Sequence, residues 1–228
     1  MSWALVPAAG SGRRFGGEVP KQYLHAAGKP LIEHALDALL AHPRIHGAVV
    51  ALAEGDDRWP GWVSLHGKPV VTCIGGGERA DSVLAALRAL PEAVADDALL
   101  LVHDAARPNL RADDIDKLID AAAACTDGAI LAAPVRDTLK RADAGVRIAA
   151  TEPRDGLWRA LTPQAFRRDL LLRALDAAQA AGAAITDEAM AVERLGLRPG
   201  LVEGREDNLK VTTPADLALV EFLLARTP

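Results

Sequence analysis

The stretch ALVPAAGSGRRFGGEVPKQYL (residues 4–24) sets an apolar run, a glycine-rich turn and a group of cations in immediate succession. Residues 3–9 read as a strand, and the turn after it settles the architecture. In open α/β sheets ligands bind beyond the carboxyl ends of the strands, and the first strand-to-helix turn is a usual place. Gly10 and Gly12 let backbone N–H groups approach a phosphate closely, where a Cβ would stand in the way. Arg13, Arg14 and Lys21 add fixed positive charge, and a guanidinium pairs bidentately with phosphate oxygens. Two other glycine-loop chemistries fail on spacing. No G-x-x-x-x-G-K-[ST] is present, and Phe15 stands where a dinucleotide fingerprint needs its third glycine. A tight turn with surface arginines is the plainer reading of the same residues.

Beyond this turn, short apolar runs alternate with helical patterns. Residues 47–53, 69–74, 98–104 and 128–135 read as further strands, their nearly continuous apolar runs typical of strands covered on both faces. In PLIEHALDALLAHP, Ile32, Leu36, Leu39 and Leu40 recur at helical spacing and form one core-facing stripe. Residues 79–90, 112–125, 166–181, 186–196 and 214–226 continue the helical series. Thr213, Pro214 and Asp216 fit an N-cap, a first helical position and a capping box for the last of these. The alternation predicts an α/β domain, Rossmann-like and doubly wound, with a mostly parallel sheet and helices on both faces. One segment breaks the pattern: residues 136–158 are polar, turn at DAG, and predict a β-hairpin arm projecting from a single domain over 1–228.

Composition narrows the function classes. Of the 228 residues half are hydrophobic and a quarter charged, with a formal net charge of −5. This excludes a general nucleic-acid or membrane binder, so any anion must meet local cations. Pro7 breaks the first apolar run and no basic leader precedes it, which disfavours a signal peptide. No run approaches the ~18 apolar residues of a membrane span. Cys73 and Cys125 make neither a disulfide framework nor a zinc site, and fit a reducing cytoplasm. In VHDAARP, Asp104 falls at a strand's carboxyl end, where a carboxylate suits Mg²⁺ or a turn. No histidine partners His103 at ligand spacing, so a packed or hydrogen-bonded strand-end histidine is expected. Arg79 and Asp81 read as structural ion-pair partners.

PAAGSGRRFG…PKQYL resembles the signature of the sugar-phosphate nucleotidyltransferases. With GGGERADSV, VHDAARP, APVRDTLK, ALTPQAF, ITDEA and VEGREDNLKVTTPADL, the ordered set is similar to the methylerythritol-phosphate cytidylyltransferase family of the non-mevalonate isoprenoid pathway. That resemblance implies transfer of a cytidylyl group from CTP to a polyol phosphate, with release of pyrophosphate and a requirement for Mg²⁺. It implies nucleotide contacts from Pro7, Ala8, Ala9, Gly10, Gly12, Arg14, Lys21, Gly76 and Ser82. It makes Arg14, Lys21 and Lys210 catalytic, and sets Asp104, Arg107, Thr138, Arg154, Thr162, Thr186 and Lys210 around the acceptor. Asp104 and Asp207 are its candidate metal carboxylates. Some relatives carry an acidic residue where Gly77 stands. It further implies a homodimer in which the 136–158 arm carries Thr138 and Arg154 into the partner's site. Plainer readings stand beside these: an Arg107–Asp104 ion pair, helix caps at Thr162 and Thr186, and a surface turn at Asp207.

Three other functions compete with this one. Ribitol 5-phosphate cytidylyltransferases share the nucleotide motifs and differ mainly in the acceptor pocket. An NAD(P) oxidoreductase is disfavoured by the glycine spacing and by the absence of a redox residue set. A silent nucleotide-binding module does not account for Arg14, Lys21, Asp104 and Lys210 occurring together.

Overall fold

The computed structural model describes residues 1–10 and 19–226. In chain order, β1 (Ser2–Pro7) is followed by a 3₁₀ turn (Lys21–Tyr23), the small ribbon β2 (His25–Ala26) and β3 (Lys29–Pro30), and α1 (Leu31–Leu40). Next come β4 (Ile45–Leu52), β5 (Ser64–Leu65), β6 (Lys68–Ile74), α2 (Arg79–Arg88), β7 (Leu99–Val102), α3 (Ala112–Ala124) and β8 (Ala129–Pro134). A hairpin of β9 (Leu139–Ala142) and β10 (Ile148–Glu152) precedes β11 (Trp158–Arg167) and α4 (Arg168–Ala180). The chain then forms α5 (Glu188–Glu193), β12 (Gly200–Glu203) and α6 (Pro214–Leu224).

Eight strands form one sheet in the order β12-β8-β11-β7-β1-β4-β6-β5. The pairs β1–β4, β1–β7, β4–β6 and β12–β8 are parallel, while β11 runs antiparallel to both β7 and β8. Successive side chains of a strand point to opposite faces, and β1 shows this directly. Ala4 and Val6 join a core with Ile32, Leu36, Leu39, Ile115 and Leu118. Trp3 and Leu5 join the opposite core with Val83, Leu87, Phe166, Leu171 and Leu175. Helices α1 and α3 therefore cover one face, and α2 and α4 the other. Each fully buried Leu or Ile contributes roughly 1.5–3 kcal/mol by leaving water. The α6 capping box forms as expected: the Thr213 hydroxyl accepts from the Asp216 N–H, and the Asp216 carboxylate accepts from the Thr213 N–H at 2.8 Å.

Three expectations need correction. Residues 158–167 are a strand, so the helix expected from 166 begins at Arg168. Trp158, Arg159 and Ala160 are exposed and Pro163–Gln164 interrupt the apolar run, which hides the strand signal. Residues 200–203 form β12, a half-exposed edge strand too short to show a pattern. The helix expected over 186–196 is only α5, and Asp187 caps it by accepting from the Met190 N–H at 3.0 Å; Thr186 does not. The expected arm is present, since β9 and β10 pair only with each other and leave Val146 and Ile148 in solvent.

Candidate active site

The loops after β1, β6 and β7 leave one edge of the sheet together. They enclose a cleft of about 780 Å³ lined by Pro7, Ala8, Ala9, Gly10, Lys21, Gln22, Gly76, Gly77, Glu78, Arg79, Ser82, Asp104, Ala105, Ala106, Lys210 and Thr212. That volume lies within the range of ordinary ligand pockets. One wall is made of backbone. The Ala8 N–H donates to the Ala51 carbonyl at 2.7 Å, and the Gly75 N–H to the Leu52 carbonyl at 2.8 Å, which pins both turns to β4. The buried Gln22 amide donates to the Ala8 carbonyl at 2.7 Å and so fixes the 3₁₀ turn that presents Lys21. Glycine is required where the turns touch: a Cβ on Gly75 would lie 2.6 Å from the Ala9 Cβ, and one on Gly76 2.3 Å from the Asp81 Cβ. At Gly77 a Cβ would meet nothing within 4 Å, so an acidic residue would fit there sterically. The Ser82 hydroxyl accepts from the Gly76 N–H at 3.2 Å and ties the turn to α2.

The opposite wall is a charge cluster centred on Asp104. Its Oδ1 accepts from Arg79 Nε at 3.0 Å, and its Oδ2 from Lys210 Nζ at 2.9 Å and Arg107 Nε at 3.3 Å. Burial pushes the Asp104 carboxyl up, but the three cations outweigh it and hold it well below the usual carboxylate range. Arg79 continues to the fully buried Glu188, donating from Nη1 to Oε1 at 2.5 Å. Burial outweighs Arg79's attraction there and raises the Glu188 carboxyl. Asp104 thus gathers cations on the cleft floor more than it repels an anion. A polyanion entering the cleft meets Lys21, Arg79 and Lys210, all of which line it.

His103 and Thr162 lie behind this floor. His103 Nε2 is 3.0 Å from the Arg107 carbonyl, Thr162 Oγ1 is 3.0 Å from His103 Nδ1, and the Asp104 N–H donates to Thr162 Oγ1 at 3.0 Å. Thr162 stands where the register of β11 against β8 shifts, between Ala160 and Gln164.

A family model described as 2-C-methyl-D-erythritol 4-phosphate cytidylyltransferase matches residues 2–226. The chain belongs to that cytidylyltransferase family. A curated member from Xanthomonas campestris pv. campestris is 65% identical over 223 residues, covering 98% of this chain and 84% of the relative. A solved cytidylyltransferase from Francisella tularensis superposes with TM-score 0.82 at 31% identity, covering 97% of this chain and 98% of that one. A solved 4-diphosphocytidyl-2C-methyl-D-erythritol synthase superposes with TM-score 0.81 at 39% identity, with 98% of both chains covered. The Rossmann-like sheet with helices on both faces is thus the family's fold.

Of the residues the sequence singled out, Pro7, Ala8, Ala9, Gly10, Lys21, Gly76, Ser82, Asp104 and Lys210 line the cleft together. Gly12, Arg13 and Arg14 lie outside the described residues. Arg107 is buried behind the floor, paired with Asp104 and donating from Nη1 to the Asn208 carbonyl at 2.7 Å. Thr186 is exposed beside α5, its hydroxyl 3.5 Å from Met190 Sδ. Thr138 and Arg154 are exposed at the arm and do not line this chain's cleft. Asp207 is not a cleft residue either, since both its oxygens accept from Arg205, at 3.0 and 2.9 Å. Sequence reasoning missed Arg79 and Glu188 as site residues. The partners of their ion pair lie 109 positions apart, and the one available signal is Arg79's place two positions after the glycine run.

For a divalent cation the donor set is sparse. Among the described residues no group of three or more His, Cys, Asp or Glu could cage a metal. Mg²⁺ keeps several waters and needs only one or two carboxylates beside substrate phosphates. Asp104 lines the cleft and suits that requirement, its oxygens already shared among three cations; Asp207 does not line the cleft.

Proposed function

We propose that this chain transfers the cytidylyl group of CTP to 2-C-methyl-D-erythritol 4-phosphate, giving 4-diphosphocytidyl-2-C-methyl-D-erythritol and pyrophosphate. One observation carries the reading: two glycine turns, Lys21 and the Asp104–Arg79–Lys210 cluster line a single cleft. The acceptor's phosphate oxygen attacks the α-phosphorus in line as the bond to pyrophosphate breaks. Two polyanions must therefore be brought together, which calls for positioning and charge neutralisation.

Lys21, with Arg14 from the same glycine-rich stretch of sequence, holds the triphosphate and stabilises charge growing at phosphorus. Lys210, oriented by Asp104, meets the acceptor's phosphate. The turns at Ala8–Ala9 and Gly75–Gly76 offer fixed backbone groups to cytosine. A mismatched base leaves backbone groups that it covers without a partner, at about 1–3 kcal/mol each. Asp104 would hold a Mg²⁺ ion beside the substrate phosphates, and the ion would supply further neutralisation of charge. The arm serves a homodimer and brings Thr138 and Arg154 to the partner's acceptor site. Its exposed Val146 and Ile148, which its own chain does not cover, support this.

The test is pyrophosphate release from purified protein with CTP and Mg²⁺, comparing methylerythritol 4-phosphate with ribitol 5-phosphate. Turnover with the first alone is expected. Preference for the second would overturn the acceptor assignment, and silence with both would overturn the reaction.

A further inference from the structure

A buried ring of hydrogen bonds behind the cleft floor has its proton directions settled by the partners alone. A carbonyl only accepts, so at 3.0 Å from the Arg107 carbonyl His103 Nε2 carries the proton. His103 and Thr162 are both buried, and of the two recorded partners of the Thr162 hydroxyl the Asp104 N–H can only donate, so His103 Nδ1 is the one that can take its proton. Nδ1 is then a bare acceptor, and at 3.0 Å the Thr162 hydroxyl donates to it. That leaves the Thr162 oxygen to accept the Asp104 N–H at 3.0 Å. The ring closes through the next loop: Asn208 Nδ2 donates to the Thr162 carbonyl at 2.7 Å, and Arg107 Nη1 donates to the Asn208 carbonyl at 2.7 Å. Asn208 lies two positions before Lys210.

We propose that His103 and Thr162 are positioning residues: their fixed-tautomer relay locks the backbone at Asp104 and Arg107, and with Asn208 sets where Lys210 stands. This deepens the cytidylyl-transfer reading and rests on it. The hydroxyl proton of Thr162 is committed to His103, so Thr162 acts through Asp104 and not by donating to the substrate. The relay touches the acceptor side of the floor and none of the turns at Ala8 or Gly76, so its loss should fall on turnover and spare nucleotide affinity.

The experiment compares Thr162→Val, which keeps shape and removes the hydroxyl, with Thr162→Ser, which restores it, and adds His103→Leu and the double variant. Thr162→Val and His103→Leu should each lower kcat on the order of ten- to a hundredfold. KM for CTP should stay within about twofold, Thr162→Ser should stay near wild type, and the double variant should be no worse than the poorer single one. An unchanged kcat in Thr162→Val, a KM for CTP that rises as kcat falls, or losses that multiply in the double variant would overturn the relay. Two readouts do not depend on turnover. ¹⁵N NMR should show the Nε2–H tautomer at His103, and the Asp104 amide should exchange slowly, but rapidly in Thr162→Val. The Nδ1–H tautomer would overturn the relay even if the enzyme is active. An inactive wild type with the expected tautomer and amide protection would leave the relay intact and overturn the transfer reading.

Discussion

The Asp104 cluster and the 136–158 arm are opposite solutions to placing polar residues in an α/β domain. In the cluster every charge finds its counter-charge within the same chain: one carboxylate with 8% of its side chain exposed accepts from three cations. In the arm two strands bond to each other and to no other sheet, and Ile148 is 69% exposed. The cluster is preorganised before any ligand arrives, which favours charge stabilisation without reorganisation. The arm is a structure whose apolar residues want a surface that its own chain does not supply. On the proposed reading, catalytic order and subunit contact are divided between the two regions.

This contrast is most exposed to challenge at Asp104. Removing one member of a buried charge cluster strands the others, so Asp104→Ala should lose about 3–5 kcal/mol in urea unfolding, together with activity. A loss under about 1 kcal/mol would mean that water, not Asp104, satisfies the three cations. Lys21→Ala should lower kcat on the order of 10²–10³ with little change in unfolding, because that side chain faces the cleft. Undiminished turnover would remove Lys21 from phosphate handling.

Acid should weaken the cluster side and not the arm. His103 is depressed to about 4 from 6.5, so between these values the unfolded chain binds the extra proton. Stability from this group is therefore full above pH 6.5 and falls by roughly 3 kcal/mol as pH drops toward 4. Asp104, also depressed, adds a loss at still lower pH. The slope of unfolding free energy against pH in the 4–6.5 window should flatten in His103→Asn; an unchanged slope would show that the imidazole is not held neutral. The smallest stability effect belongs to the arm. Ile148→Asp should shift unfolding by no more than about 0.5 kcal/mol, yet convert a dimer to a monomer in sedimentation.

Much of this is legible in the sequence for physical reasons. The strands around residues 3–7, 47–52, 99–102 and 129–134 are sealed on both faces, so their apolar runs are nearly continuous; β6 carries an apolar run too, although Thr72 and Ile74 are exposed. β11 is not legible because it is inserted antiparallel, with an exposed start and Pro163 and Gln164 in its middle. The glycine turns, Lys21, Asp104 and Lys210 announce the cleft because each sits at a strand end or in a loop rich in chemistry. Arg79–Glu188 and the His103–Thr162 relay join residues 109 and 59 positions apart, and no local pattern encodes such pairings.

The proposed division between a cleft and an arm that completes its neighbour's site can be put to a single trial. Lys210→Ala and Arg154→Ala chains, each nearly inactive alone, are co-expressed and pyrophosphate release from the mixture is measured. If each site draws Lys210 from one chain and Arg154 from the other, mixed dimers hold one intact site. About a quarter of wild-type activity should then return. Activity no greater than the sum of the two variants would contradict the division of labour between cleft and arm.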